Sequence, residues 1–165
     1  IQIDTKSFTK SAGTRTFDAA SYLRSAGADG MMIQMFMKEN ADSFMKRNHL
    51  ISLAELNDSI AICAGEEEQV YDPVTAAQAA DMLLQVNGIE ASFVITKRAD
   101  GMVCISARSM GDVNVQLIME KMGGGGHLAN AATQIKGKTI AEVKQTLIDQ
   151  LAKTEDDGNK ESTEE

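Results

Sequence analysis

Apolar residues in this chain recur with two different periods, and these periods predict alternating strands and helices. Short apolar runs at residues 59–64, 91–97 and 102–107 have the length and composition of buried β-strands. The last two runs flank Asp100-Gly101, and an Asp-Gly turn between apolar runs is a typical hairpin signal. Between the runs, apolar positions spaced three and four residues apart predict amphipathic helices. The pattern therefore indicates an α/β protein with a mixed β-sheet and flanking helices.

Residues with strong terminal preferences mark where these helices begin. Asp72-Pro73 is a clear start, because Asp is favoured at the N-cap and proline at the first helical position; this helix is predicted to reach Val86. Asp112 is predicted to cap a helix whose apolar stripe reaches Met122, and Thr139-Ile140-Ala141-Glu142 is a capping box that opens the last helix. The remaining predicted elements are helices at residues 17–26, 29–37 and 41–56, a short helical turn after His127, and a strand at 133–136.

Composition divides the chain into three segments. A shift at Asn57-Asp58 predicts a boundary between residues 1–57 and residues 58–153. The first residues, Ile1-Gln2-Ile3-Asp4, are interpreted as the end of a buried strand with a carboxylate at its tip, in a fragment of a longer chain. Residues 154–165 lack apolar side chains, and this acidic tail is predicted to be disordered.

Charge and cysteine usage exclude several classes of function. The formal net charge is −8, but residues 154–165 carry −5 of it, so the remainder is only mildly acidic. Binding of duplex nucleic acid needs a basic face, and we expect no duplex partner. Cys63 and Cys104 lie in separate apolar stretches without metal-binding spacing, which favours reduced thiols in the cytoplasm. No apolar run approaches the ~18 residues of a membrane span.

Four consecutive glycines are the most unusual feature of the sequence. Gly123, Gly124, Gly125 and Gly126 precede His127, one of only two histidines. Glycine runs weaken a fold but expose backbone N–H groups, and a nest of such groups binds anions. We interpret the run as a phosphate or nucleotide cradle with His127 at its edge. The alternative is a flexible loop followed by a surface histidine.

One arginine is placed where it could join this cradle. Arg108 follows the predicted strand 102–107, one helix before the glycine run, so Arg108 and His127 are expected to converge. A guanidinium fork suits a phosphate or a carboxylate, although a surface salt bridge would explain Arg108 equally well. His49 lies in a polar helical stretch and is interpreted as a surface residue.

Seven short stretches carry a resemblance to a known family: Asp4-Thr5-Lys6-Ser7-Phe8, Arg15-Thr16-Phe17, Gly27-Ala28-Asp29, Ile105-Ser106-Ala107-Arg108-Ser109, Asn114-Val115-Gln116, Gly123-Gly124-Gly125-Gly126-His127 and Asn130-Ala131-Ala132-Thr133-Gln134. Together they resemble the DHH family of phosphoesterases, from the end of a DHH domain through its DHH-associated C-terminal domain. The resemblance covers residues 1 to about 152 and is closest to the cyclic di-AMP phosphodiesterases of Gram-positive bacteria.

The resemblance implies a phosphodiesterase with two Mn²⁺ ions that linearises cyclic di-AMP. Residues 1–57 would be the helical end of the DHH domain, and residues 58–153 the substrate-binding domain. Asp4 matches a metal ligand of the family. Substrate-binding positions match Ser106, Arg108, Gly123, Gly124, Gly125, Gly126 and His127.

Two motifs of the family, Asp-x-Asp and Asp-His-His, do not occur in this sequence. We therefore expect no catalysis by this fragment alone. Its parent is expected to be membrane-anchored, with this part on the cytoplasmic face.

Two other functions remain open. A family cousin would degrade short linear oligonucleotides or dephosphorylate phosphoadenosine phosphate with the same cradle. A non-catalytic nucleotide-binding or dimerisation module would use the methionine-rich helix Met31–Met37 as a homodimer contact.

Overall fold

The computed structural model describes residues 1–161 and contains two compact units. The first unit is Ile1–Asn40, and the second begins at Ala41. Residues 162–165, the end of the predicted disordered tail, lie outside the described residues. None of the helices formed by the described residues is long and apolar enough to cross a membrane.

The first unit contains two helices, α1 (Thr14–Ser25) and α2 (Gly30–Phe36). Asp29 caps α2 by accepting a hydrogen bond from the Met31 amide at 2.8 Å, as the sequence predicts. The strand end predicted for Ile1–Asp4 is wrong. Residues 2–9 form turns, in which the Thr5 amide donates to the Ile1 carbonyl at 3.0 Å, and Ile3 is 77% exposed.

The second unit is built on one six-stranded sheet in the order β1-β2-β3-β4-β6-β5. All neighbouring strands are antiparallel except β2 and β3, which are parallel and joined by a helical crossover. The strands are β1 (Ala54–Asn57), β2 (Ile60–Ala64), β3 (Ala91–Lys97), β4 (Val103–Ser109), β5 (Gly125–His127) and β6 (Asn130–Ile135). The predicted α/β class and the β3–β4 hairpin are confirmed.

Helices pack on both faces of this sheet and create two apolar cores. Helices α3 (Ala41–Ser52) and α4 (Pro73–Leu83) cover one face, where Leu50, Cys63 and Leu83 are buried together. Helices α5 (Val115–Lys121) and α6 (Ile140–Glu161) cover the other, where Phe93, Ile105 and others are buried. In β3 six consecutive residues are buried, which is the pattern of a strand covered on both faces.

Side-chain caps fix the starts of the helices that flank the sheet. Asp72 accepts hydrogen bonds from the amides of Val74 and Thr75, both at 2.9 Å, and from the Thr75 hydroxyl at 2.6 Å. The hydroxyl bond, followed by the amide bonds, lowers the pKa of Asp72 despite some burial. The predicted capping box of α6 is present, since the Thr139 amide donates to Glu142 at 2.8 Å and the Glu142 amide to the Thr139 hydroxyl at 3.2 Å.

Several element boundaries differ from the prediction. Residues 41–57, assigned by sequence to the first segment, belong to the second unit, because Leu50 is fully buried in its core and β1 pairs with β2. Helix α5 starts later than expected, since Asn114 rather than Asp112 is its N-cap. Helix α6 continues through residues 154–161 of the predicted tail. The helical turn expected after His127 is absent, because residues 125–135 form the β5–β6 hairpin.

Candidate functional site: the open face of the sheet

One part of the sheet is covered on only one face. Along β4 burial alternates, with Val103, Ile105 and Ala107 buried against α5 and α6 and the residues between them only half-buried. Strand β6 continues the pattern, and Ala132 and Gln134 are exposed. We call this uncovered side of β4, β6 and β5 the open face.

A cavity of about 350 Å³ lies where α4 meets the open face. Its α4 wall consists of small apolar residues, and its floor comes from strand residues on the open face. The lining residues include Pro73, Ala76 and Ala77 from α4, Cys104, Ser106 and Arg108 from β4, Gly125 from β5, and Asn130, Ala132 and Gln134 from β6.

Strand register places two of the candidate residues in one row on this face. Arg108 is opposite Asn130 in the β4–β6 pair, and Asn130 is opposite His127 in the β6–β5 pair. Opposed residues of antiparallel strands share a face, so the three side chains form a row that we call the polar row. Two strand spacings put the backbones of Arg108 and His127 about 10 Å apart. The expected convergence of these residues thus takes the form of a cross-strand row, with the exposed His127 at the sheet edge.

A second row lies two residues further along each strand. Ser106 is opposite Ala132, and Ala132 is opposite Gly125. The row is about 7 Å from the polar row, since a strand rises ~3.3 Å per residue. Its three side chains are small or absent, and we call it the small-residue row. The cavity therefore has a shallow floor beside a row of hydrogen-bonding groups.

Arg108 is held in place from its own strand and from α4. Its Nε donates to Asp81 Oδ1 at 3.1 Å, and its Nη1 donates to the Ala107 carbonyl at 2.9 Å and to Ser106 Oγ at 3.3 Å. The side chain is only 16% exposed. Among the described residues none accepts a hydrogen bond from Nη2. The guanidinium is thus pre-oriented at the cavity, with donor capacity left for an anion.

The glycine run does not form the anion nest that the sequence suggested, because its first two amides already have partners. The Gly123 amide donates to the Glu120 carbonyl at 3.0 Å and the Gly124 amide to the Met119 carbonyl at 2.8 Å. Gly123 has φ +80°, and these bonds end α5 in the way a glycine after a helix commonly does. Half of the run therefore serves the helix terminus.

The later glycines have two different roles: Gly124 and Gly126 allow close packing of β5 on β6, and Gly125 leaves space in the cavity. A Cβ on Gly124 would lie 2.6 Å from Thr133 Cβ, and a Cβ on Gly126 2.5 Å from Ala131 Cα, so both positions need glycine for β5 to approach β6. A Cβ on Gly125 would meet no atom within 4 Å. Gly125 is therefore the glycine of the run whose missing side chain leaves room in the cavity.

The far end of the cavity carries a separate set of polar contacts. Arg98 donates to Gln134 Oε1 at 3.2 Å and pairs with Asp100 at 2.9 Å. Burial raises the pKa of Cys104 at this end, although Arg98 opposes the shift. Burial also raises the pKa of Cys63, in the core, to about 12. Both cysteines are free, so the structure agrees with reduced thiols.

The remaining candidates are not among the residues that line this cavity. His49 is 52% exposed and lies 3.2 Å from Glu66, which fits a surface residue. Asp4 belongs to the first unit, and its carboxylate is 89% exposed. Among the side chains that the structure describes, those of residues 1–154, no three His, Cys, Asp or Glu cluster closely enough to hold a metal ion. The described residues therefore do not fit the two-metal site that the resemblance implies.

Two residues of the site were not identified from the sequence, Asn130 and Asp81. Asn130 belongs to one of the matching stretches, but its place in the polar row depends on the β5–β6 register. Nothing in the sequence marks Asp81 as the partner of an arginine 27 residues later. The signal available is that Asp81 is the one charged residue of α4.

Comparison with known proteins places these features in a family context. A family model described as the DHHA1 domain matches residues 57–153. A solved structure of an exopolyphosphatase-related protein from Bacteroides fragilis shares the fold, with a TM-score of 0.75 and 20% identity over 90% of this chain and 47% of that one.

Curated relatives are much more similar in sequence. The cyclic-di-AMP phosphodiesterase PdeA of Listeria monocytogenes is 55% identical over 90% of this chain and 23% of its own length. The cyclic-di-AMP phosphodiesterase GdpP of Bacillus subtilis is 53% identical over 89% of this chain and 23% of its own length. The chain thus spans about a quarter of the length of these relatives.

Proposed function

Since the chain belongs to the DHHA1 domain family, we propose that it is the substrate-binding part of a phosphodiesterase that hydrolyses cyclic di-AMP. The similarity to proteins named cyclic-di-AMP phosphodiesterases supports the substrate class. The observation that carries the proposal is the polar row beside a cavity floored by small residues.

The geometry suits separate contacts to the phosphate and to the base of a nucleotide. Arg108, fixed by Asp81 and Ser106, offers a charged donor to a phosphate. His127 at the other end of the row offers a polar contact to another phosphate of the dinucleotide. The apolar α4 wall and the small-residue row leave a shallow space that suits a flat base.

We propose manganese ions as cofactors only of a longer protein that contains this chain. Metal ions in such hydrolases activate water and stabilise the charge of the displacement. Asp4 alone cannot hold two ions, so further ligands would come from residues other than those described here. We assign this chain the holding and orienting of the substrate.

Calorimetric titration of the chain with 5′-phosphorylated linear di-adenosine tests the binding role. We expect His127→Ala to weaken binding roughly 10- to 150-fold, as loss of one hydrogen bond to a charged group costs ~1.5–3 kcal/mol. His49→Ala is the matched control, because it removes the other histidine from an exposed site outside the cavity. Equal affinities for wild type and His127→Ala would refute the substrate role.

The substrate class is tested by comparing the affinities of three ligands. Cyclic di-AMP, a linear di-adenosine and phosphoadenosine phosphate are titrated separately, and the proposal requires the two dinucleotides to bind more tightly. Preference for phosphoadenosine phosphate would favour the family cousin that removes a single phosphate.

A further inference from the structure

The centre of the polar row is a carboxamide without a partner. Asn130 lies between Arg108 and His127 in strand register, is half-buried and lines the cavity. Within the described part of the chain, its side chain makes no hydrogen bond. The comparable carboxamide of Gln134, two rows along the same strand and face, accepts a bond from Arg98 at 3.2 Å.

A free carboxamide inside a cavity is suited to a ligand with both a donor and an acceptor. Asn carries a carbonyl acceptor and an NH₂ donor on one planar group, and satisfying both requires complementary atoms side by side. A phosphate offers acceptors only. A ligand made of phosphate alone would therefore leave the Asn130 carbonyl unpaired, at a free-energy cost.

The surroundings of Asn130 point to a flat heterocycle as the source of that donor–acceptor pair. On one side lie the small-residue row and its Gly125, over which a Cβ would find open space. On the other side Pro73, Ala76 and Ala77 form the α4 wall. An apolar slot with one planar polar group at its end is the usual arrangement for orienting an aromatic ligand.

We propose that Asn130 selects adenine over guanine in the bound nucleotide; this inference rests on the proposed function. Adenine presents N6–H₂ as a donor beside N7 as an acceptor, which pairs with both atoms of an Asn carboxamide. With the N7 edge of the base at Asn130, guanine presents two acceptors, O6 and N7, and the Asn130 carbonyl would face an acceptor. Guanine's own donor–acceptor pair, N1–H beside O6, lies on its Watson–Crick edge, so pairing with Asn130 would require the base to turn and bring its N2 amino group into the slot. Asn130 is thus a specificity-determining residue, whereas Arg108 and His127 hold the phosphate groups on either side of it whichever base is present.

The test is a titration of this chain with two probes, 5′-phosphorylated linear di-adenosine and its di-guanosine counterpart. Wild type should prefer di-adenosine roughly 10- to 100-fold, the discrimination expected of one bidentate pair. Asn130→Ala and Asn130→Thr should lower di-adenosine affinity and leave di-guanosine affinity unchanged. Threonine is included because it suits a strand and keeps the test valid if the alanine variant unfolds. Asn57→Ala, which removes an exposed strand carboxamide outside the cavity, should retain the wild-type preference.

The outcomes separate the two proposals. Equal losses for both probes would mean that Asn130 contacts the phosphate, and would overturn the base-reading role. A wild type without preference, or a preference that survives both Asn130 variants, would overturn it as well while leaving the proposed function intact. Failure of wild type to bind either probe would overturn the proposed function itself.

Discussion

Two neighbouring glycines of the run should respond in opposite ways to the same added methyl group. At Gly124 an alanine Cβ would lie 2.6 Å from Thr133 Cβ and 2.7 Å from its Cα, where ordinary contacts begin at 3.4 Å. Residue 124 would have to move at least 0.8 Å from β6, and further to clear the Ala132 carbonyl oxygen, which is the atom nearest to the added Cβ, or the α5 terminus would have to shift. Overpacking of this kind costs ~1–3 kcal/mol.

At Gly125 the same substitution meets open space. Its Cβ has no neighbour within 4 Å and its φ lies outside the left-handed region, so no strain is expected. Replacing a strand glycine by alanine stabilises by ~0.5–1 kcal/mol through lower unfolded-state entropy. The methyl group would instead project into the cavity and obstruct a ligand, so we expect at least roughly tenfold weaker binding.

Thermal unfolding and calorimetry of the two variants separate these effects. Gly124→Ala should lower the Tm by about 2–12 °C, at ~2–4 °C per kcal/mol for a chain of this size. Gly125→Ala should keep or raise the Tm and lose affinity for 5′-phosphorylated linear di-adenosine. Similar destabilisation of both variants, or wild-type affinity in Gly125→Ala, would refute the assignment of Gly124 to packing and Gly125 to the cavity.

Three further predictions follow from contacts in the second unit. Asp81→Asn should weaken dinucleotide binding while Asp81→Glu partly restores it, because the carboxylate orients Arg108; unchanged affinity in Asp81→Asn would contradict this role. Asp72→Ala should destabilise by ~0.5–2 kcal/mol at neutral pH, measured by urea unfolding, and the difference should shrink as pH falls below about 4, because a cap whose folded pKa is lowered loses its effect on protonation. In the native protein a thiol reagent should modify Cys104 slowly and Cys63 only on unfolding, and bound dinucleotide should protect Cys104, which lines the cavity; equal rates for both thiols would argue against this burial.

Local signals were sufficient for most of the second unit. The Asp72-Pro73 start, the Thr139–Glu142 capping box and the Asp100-Gly101 hairpin all depend on interactions within a few residues. The same is true of β3, whose unbroken apolar run reflects helices on both faces. Such features can be predicted from the sequence because the residues that make each contact are close together along the chain.

The parts that were missed depend on distant contacts. Glycines are depleted in strands, so residues 125–127 read as a loop, yet β5 forms because β6 can approach glycine backbone closely. The predicted helix at 41–56 overlaps strand β1. This strand forms because β2 supplies its hydrogen bonds, and the local sequence pattern does not reveal that partner. The row that joins Arg108, Asn130 and His127 likewise exists only through sheet register, although residue chemistry alone marks two of its members as candidates.

The short edge strand β5 also has a consequence for the time course of ligand binding. It pairs with β6 on one side through only three residues, two of them glycines, so opening it should cost far less than unfolding the sheet. We expect its amides to exchange with solvent faster than those of β4, and exchange to slow when a dinucleotide is bound. Because His127 is on this strand, part of the binding free energy would be spent in ordering the edge, and dissociation would begin by its fraying.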